Sequence, residues 1–374
     1  MARSRRRFGL KMPGVSTNTI CASPSMAMPR TSARVVWTLR DTMETLEPTR
    51  EFRRVDLPAF GAPMRAMTDE TTPAPERETR AGFVALIGAP NAGKSTLLNQ
   101  LVGAKVSIVS RKVQTTRALV RGIAIEGDAQ IIFVDTPGIF APKRRLDRAM
   151  VTSAWGGAGD ADVVALLLDV RKGIDEEAEA ILDKLPDLKQ AKVLILNKID
   201  LIERSRLLDL AARLNEKAPF AHTFMISALK GDGIDTLRRQ LAAMMPGGPW
   251  LYPEDQISDA PLRMLAAEIT REKIYERLHE ELPYQSTVET DQWQPRPDGS
   301  VRIEQTVFVE RDSQRKIVLG ERGQTIKAIG QLARREISEI AETRVHLFLF
   351  VKVRKNWSDD PERYREMGLE FPRG

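Results

Sequence analysis

Short apolar runs punctuate the middle of the chain, and each stops abruptly at polar residues. They are Phe83–Ile87, "IIFV" before Asp135, "VVALLLDV" at Val163–Val170, "VLIL" before Asn197 and "FMI" before Ser227. Runs of this length in βα alternation predict buried strands of a mostly parallel sheet with helices between them, the first helix starting near Lys94. After Met245 comes "PGGPWLYPEDQISDAP", rich in Pro and Gly and without periodicity, which reads as a linker. Beyond it the order changes to α-β-β-α-α-β. Leu262, Leu265, Ile269, Tyr275, Leu278 and Leu282 recur at helical spacing, while "SVRIEQTVFVE" and "RVHLFLFVKV" alternate as strands do. The pattern divides the chain into an extension over 1–80, an α/β domain over 81–246, a linker over 247–261, an α+β domain over 262–357 and a C-terminal tail over 358–374.

At 374 residues, 42% hydrophobic and 29% charged, the chain is long enough for two domains that each bury a core. No apolar run approaches the roughly 20 residues that a membrane-spanning helix needs. Cys21 is the single cysteine, which excludes an internal disulfide and a cysteine-built zinc site and fits a reducing compartment. The formal charge of +6 suggests a nucleic-acid partner until it is located. Residues 1–66 hold twelve Lys/Arg against five Asp/Glu, a net of +7, which leaves −1 for the rest. An RNA partner therefore has to be argued from local charge. Met1–Arg80 shows neither helical nor strand periodicity and holds no acid before Asp41. Three readings stay open for it: a transit peptide, a basic arm without a fold, and a native start at Met67.

The strongest chemical signal is "FVALIGAPNAGKSTLLNQLVG", a GxxxxGKS loop between a strand and a helix, the context a phosphate-binding loop requires. Gly88 and Gly93 bracket a loop containing Asn91 and Ala92 whose amides can cradle phosphates. Lys94 reaches the β- and γ-phosphates, Ser95 coordinates Mg²⁺, and Thr96 carries the loop into the helix. In "IIFVDTPG", Asp135 can hold Mg²⁺ through water and Gly138 can offer its amide to the γ-phosphate. Asn197, Lys198 and Asp200 end a further strand, and Ser227, Ala228 and Leu229 end another. An ionised Asp200 can accept from guanine N1–H and N2–H₂, a pair that adenine lacks, so the implied ligand is GTP or GDP. Between the loop and "DTPG", the segment "SRKVQTTRALVRG" supplies the hydroxyl expected to complete the Mg²⁺ shell. Thr116 is the candidate, with Thr115 beside it, and both residues also suit entry into a strand. In the second domain "GERG", Gly320–Gly323, lies between two helical stretches; a GXXG loop of this kind clamps the backbone of single-stranded nucleotides. Arg322, Lys327 and Arg334, with Arg311, Arg315, Lys316, Arg335, Lys352, Arg354 and Lys355, make this region basic, while Glu321 places an acid inside the loop. Leu319, Ile326, Ile329 and Ile337 suit the core, and Ile326 and Ile329 also suit the wall of a nucleotide groove. His222, His279 and His346 lack ligand spacing.

From about Gly82 to Gly368 these residues resemble the Era family of bacterial ribosome-assembly GTPases: "GAPNAGKST", "QTTR", "DTPGIF", "NKID", "SALKGDG", "YPEDQISD", "EITREKIYERLHEELPY" and "VLGERGQTIKAIGQLARREI". The resemblance implies an α/β P-loop GTPase domain, mostly parallel sheet with helices on both faces, followed by an α+β KH domain of the bacterial topology. It implies binding near the 3′ end of 16S rRNA through Gly320, Glu321, Arg322, Gly323, Lys327 and Arg334. A role in 30S subunit assembly and a cytoplasmic location follow from it, and it permits peripheral association with the inner face of the cell membrane. No DNA partner is expected, and oligomeric state is not read from the sequence. One departure from the small GTPases is Ile139 in "DTPGIF", where a water-positioning glutamine is expected. The resemblance suggests K⁺, held with the help of Asn91, as the substitute. That makes Asn91, Lys94, Thr116 and Gly138 the catalytic candidates for slow, K⁺-stimulated hydrolysis. Two alternatives remain: an RNA chaperone that binds nucleotide with negligible turnover, and an imported mitochondrial counterpart.

Overall fold

The computed structural model describes residues 78–278 and 282–372. The readings for residues 1–77, including Cys21 and Met67, and for His279 lie outside the described residues.

The apolar runs form a six-stranded sheet in the order β2-β3-β1-β4-β5-β6. Its strands are β1 (Arg80–Ile87), β2 (Val120–Glu126), β3 (Ala129–Asp135), β4 (Val163–Asp169), β5 (Ala191–Asn197) and β6 (His222–Ile226), all parallel except β2, which runs antiparallel to β3. Every residue of β3 and β4 is buried, as expected for strands covered on both faces. Helices α1 (Lys94–Val102) and α5 (Ile234–Met244) pack on one face through Leu97, Leu98, Leu101, Leu237 and Leu241. Helices α2 (Arg145–Gly159), α3 (Glu176–Lys184) and α4 (Arg204–Lys217) cover the other through Ala154, Ile181 and Leu214. Ile139 belongs to this second cluster and is only 6% exposed. The ends of β1, β3, β5 and β6 place the four polar motifs along one edge of the sheet, where ligands of such folds bind.

The segment read as a linker is fastened to this domain. The Ile257 carbonyl accepts from Ile123 N–H at 2.9 Å, and Asp259 pairs with Arg121 at 2.8 Å, so the free edge of β2 is covered. The Gln130 side chain binds the backbone of Leu251 and Tyr252.

The second domain follows the expected order: α6 (Leu262–Arg277), β7 (Ser286–Pro295), β8 (Val301–Val309), α7 (Asp312–Leu319), α8 (Gln324–Ile340) and β9 (Val345–Val353). Its sheet is ordered β7-β8-β9, antiparallel then parallel. The helical spacing read through Leu282 overshoots: α6 stops at Arg277, and Leu282 begins a separate 3₁₀ turn over Leu282–Gln285. Leu278, in extended conformation at φ −103° and ψ 151°, ends α6. Leu262, which opens that helical spacing, is half exposed at the start of α6, whereas Ile269 and Tyr275 are buried.

The last segment folds back onto the first domain. Trp357 opens a 3₁₀ turn, α9 (Pro361–Glu366) follows, and Trp357, Tyr364 and Leu369 bury themselves against Leu146, Ala149 and Met150 of α2. Among the described residues no helix is long and apolar enough to cross a membrane.

Candidate functional site

The phosphate loop turns from β1 into α1. Gly93 takes φ 103°, and a Cβ there would lie 2.3 Å from Asn197 Nδ2, so both the turn and the close approach of β5 require glycine. That Asn197 amide donates to the Ala92 carbonyl at 2.8 Å, while its Oδ1 accepts from Lys198 N–H and from Ala228 N–H at 2.9 Å. One side chain thus ties the phosphate loop to the ends of β5 and β6. Lys94, the first residue of α1, folds back so that Nζ donates to the carbonyls of Gly88 at 3.0 Å and Ala89 at 3.1 Å. Burial pushes its ammonium down to about 8, against the pull of Asp135 and Glu177. Gly138 lies against Pro90 of the loop, 2.9 Å from where its Cβ would be.

Asp135 ends β3, fully buried, and its Oδ2 accepts from Ser95 at 2.6 Å, Ser107 at 3.0 Å and Thr116 at 3.2 Å. The Ser95 and Thr116 hydroxyls lie 2.9 Å apart. Thr115, the other candidate, points away and donates to the Lys112 carbonyl. Burial pushes the Asp135 carboxyl above its ordinary range, opposed by Lys94 and the three hydroxyls. Its Oδ1 is buried without a hydrogen-bond partner among the described residues. Hard oxygen donors around an under-satisfied carboxylate suit Mg²⁺.

At the base end, Asn197, Lys198, Asp200, Ala228 and Leu229 line a cavity of about 920 Å³ that also touches Asn91, Gly93 and Thr96. Leu229 is 80% exposed at its rim. Asp200 Oδ1 accepts from Ser227 Oγ at 2.7 Å, a bond that holds the carboxyl below its ordinary range and keeps it ionised. Lys198 takes φ 70° and sends Nζ to the Asn91 carbonyl and to Asp169 Oδ2, each at 2.6 Å. Burial would raise the Asp169 carboxyl, yet Arg171 and Lys198 hold it at about 2. Asn91 takes φ 63°, and its Nδ2 donates to the Arg111 carbonyl at 2.9 Å.

The Thr116 segment leans on the second domain. Glu272 of α6 accepts from Val109 N–H at 2.7 Å and pairs with Lys105 at 2.6 Å; Lys105 also pairs with Glu336 of α8. Arg271 donates to the Thr115 carbonyl, and Ile108 packs among Ala266, Ile269, Ala333 and Ile337. At Gly320–Gly323 the chain turns sharply between α7 and α8. A Cβ on Gly320, at φ 71°, would fall 2.1 Å from Thr325 Oγ1, whereas Gly323 opens to free space at the N-terminus of α8. Glu321, Arg322, Lys327 and Arg334 are exposed. Ile329 is fully buried in the core, which removes it from any groove wall, while Ile326 is half-buried.

Comparison with known proteins agrees with this layout. The pattern of the family described as 50S ribosome-binding GTPase matches residues 83–198, and that of the KH domain matches residues 281–358. The GTPase Era of Bradyrhizobium sp. (strain BTAi1) is 71% identical over 307 residues, 82% of this chain and all of the relative. The chain belongs to the Era family of GTPases. The GTPase Era of Brucella suis biovar 1 is 69% identical over 295 residues, 79% of this chain and 95% of that protein. A crystal structure of Era in complex with MgGDPNP and nucleotides 1506–1542 of 16S ribosomal RNA superposes with a TM-score of 0.74. It is 39% identical, over 78% of this chain and 99% of that one. Within this Era-type layout, sequence reasoning missed Ser107, Asp169, Arg117 and Glu272. Only Asp169, a carboxylate ending an apolar strand at the ligand edge, carried a readable signal.

Proposed function

We propose that this chain is a GTP-hydrolysing switch that binds small-subunit rRNA near its 3′ end during 30S assembly. The division into a nucleotide domain over 81–246, a linker over 247–261 and an RNA-binding domain over 262–357 is part of the proposal. One observation carries it: Arg271 of α6 donates to the Thr115 carbonyl beside Thr116, and its neighbours Glu272 and Lys273 connect Val109 N–H to Glu336 on α8, the helix whose N-terminus is the GXXG loop. Ordering of Thr116 by a γ-phosphate and Mg²⁺ would then be felt at the RNA loop. The solved Era complex with MgGDPNP and 16S nucleotides supports both ligands. Ser95 and Thr116 would hold Mg²⁺ directly and Asp135 through water; the ion neutralises charge developing on the β- and γ-phosphates. Co-sedimentation with small ribosomal subunits tests the reading. Binding should be stronger with a GTP analogue than with GDP, and Gly323→Asp should weaken it roughly tenfold or more by adding charge and strain at the phosphate clamp. Binding that ignores both nucleotide and variant would overturn the ribosomal role.

With Ile139 built into the core, its side chain does not orient the attacking water. K⁺ at Asn91 fills the electrostatic part of that work, since the Asn91 amide already presents its nitrogen to Arg111 and leaves Oδ1 for a cation. Turnover should be slow and about tenfold faster in K⁺ than in Na⁺ at matched ionic strength, with the difference lost in Asn91→Ala. Equal rates in the two salts would sink the K⁺ assignment.

A further inference from the structure

We propose that Ser107 is a positioning residue for the Mg²⁺ site, holding the Asp135 carboxylate in one orientation from a support that the metal does not control. The inference rests on the reading of Ser95, Thr116 and Asp135 as that site. Three hydroxyls converge on Asp135 Oδ2, yet they differ in what fixes them. Ser95 and Thr116 are the metal-ligand candidates, so an arriving ion resets both. Ser107 is anchored elsewhere. Asn99 of α1 accepts the N–H groups of Val106 at 2.9 Å and Ser107 at 3.0 Å and donates to the Ser107 carbonyl at 2.8 Å. This clamp fixes Ser107 to the rigid helix behind the phosphate loop, although the chain beyond it leaves to meet the second domain.

The Ser107 side chain is buried, so its single proton has Asp135 as its hydrogen-bond acceptor. Ser107 thus pins Oδ2, the oxygen that the ligand candidates Ser95 and Thr116 also reach, and fixes the orientation in which the carboxylate meets them. Hydrogen bonds to a metal-site carboxylate set its orientation, and losing one typically costs 10–100-fold in metal affinity.

The test uses the full chain loaded with a fluorescent GDP analogue, reading nucleotide release against buffered free Mg²⁺. Ser107→Ala should raise the Mg²⁺ concentration at the midpoint by roughly tenfold, and Ser107→Thr, which keeps the hydroxyl, should stay near wild type. Asp135→Asn serves as the control and should shift the midpoint at least as far. If Asp135→Asn shifts it and Ser107→Ala does not, the role of Ser107 is wrong while the metal site stands. Equal shifts in Ser107→Ala and Ser107→Thr would likewise overturn it, because the hydroxyl would then not be the cause. If Asp135→Asn leaves the midpoint unmoved, the metal-site reading itself falls.

Discussion

Asp200→Asn is expected to weaken GTP binding by roughly 10⁴-fold and to transfer preference to xanthosine triphosphate. The Asp200 carboxylate is steered by Ser227 Oγ at 2.7 Å and stays ionised, so both oxygens remain acceptors for guanine N1–H and N2–H₂. An asparagine keeps the shape but presents one acceptor and one donor. Its amide N–H₂ then faces the guanine N2–H₂ across a buried contact, leaving two donors without acceptors. Xanthine carries a carbonyl at C2, so the same amide finds its complement. Competition of GTP, xanthosine triphosphate and ATP against a fluorescent nucleotide measures the exchange. GTP affinity within a few-fold of wild type would mean that Asp200 merely caps the turn after β5. ATP should bind the wild type poorly, because adenine presents an acceptor at N1 to the Asp200 carboxylate and no polar group at C2.

The nucleotide site was legible because its chemistry is local. Phosphate loop, Asp135, Asn197 and Ser227 each lie at the end of an apolar strand, and apolar runs broken by polar residues are visible in one dimension. Strand β7 was expected from the order of elements, but its span was not visible in this way. Val288, buried, and Trp293, partly buried against the core, are five apart, an odd spacing that would put them on opposite faces of a regular strand. The register shift between Thr290 and Gln292 restores Trp293 to the core side and erases the alternation from the sequence.

The interdomain contacts were illegible for a different reason. Val109 meets Glu272, and Arg117 meets Ser286, across more than 160 residues, and nothing in the local pattern of either partner advertises the other. A charged residue in an irregular segment normally faces water. Here the second domain supplies the acceptors, so Glu272 and Arg117 read as surface charges until the chain is folded. Lys273 extends the same network: despite burial, Glu336 and Glu272 hold its ammonium above the ordinary range.

Arg117, one residue beyond Thr116, is where that network should be most costly to break. Its side chain is 4% exposed and donates to the carbonyls of Ser286 at 3.0 Å and Tyr284 at 3.1 Å and to the Tyr275 hydroxyl at 3.3 Å, with its guanidinium 5.5 Å from the centre of the Trp357 ring. Arg117→Ala leaves these acceptors without their donor and unseats the turn that begins the C-terminal segment. Each stranded group costs about 1–3 kcal/mol, offset in part because a buried cation no longer has to be desolvated, so the net loss should be about 3 kcal/mol. In thermal unfolding that corresponds to a fall of about 5–10 °C. The second readout separates structure from coupling. If Arg117 transmits the state of the Thr116 segment, the variant at a temperature where it is folded should bind rRNA equally in GDP and in a GTP analogue. A lower melting temperature with the nucleotide dependence intact would confine Arg117 to holding the domains together, and the coupling would then have to run through contacts such as Arg271–Thr115 and Glu272–Val109.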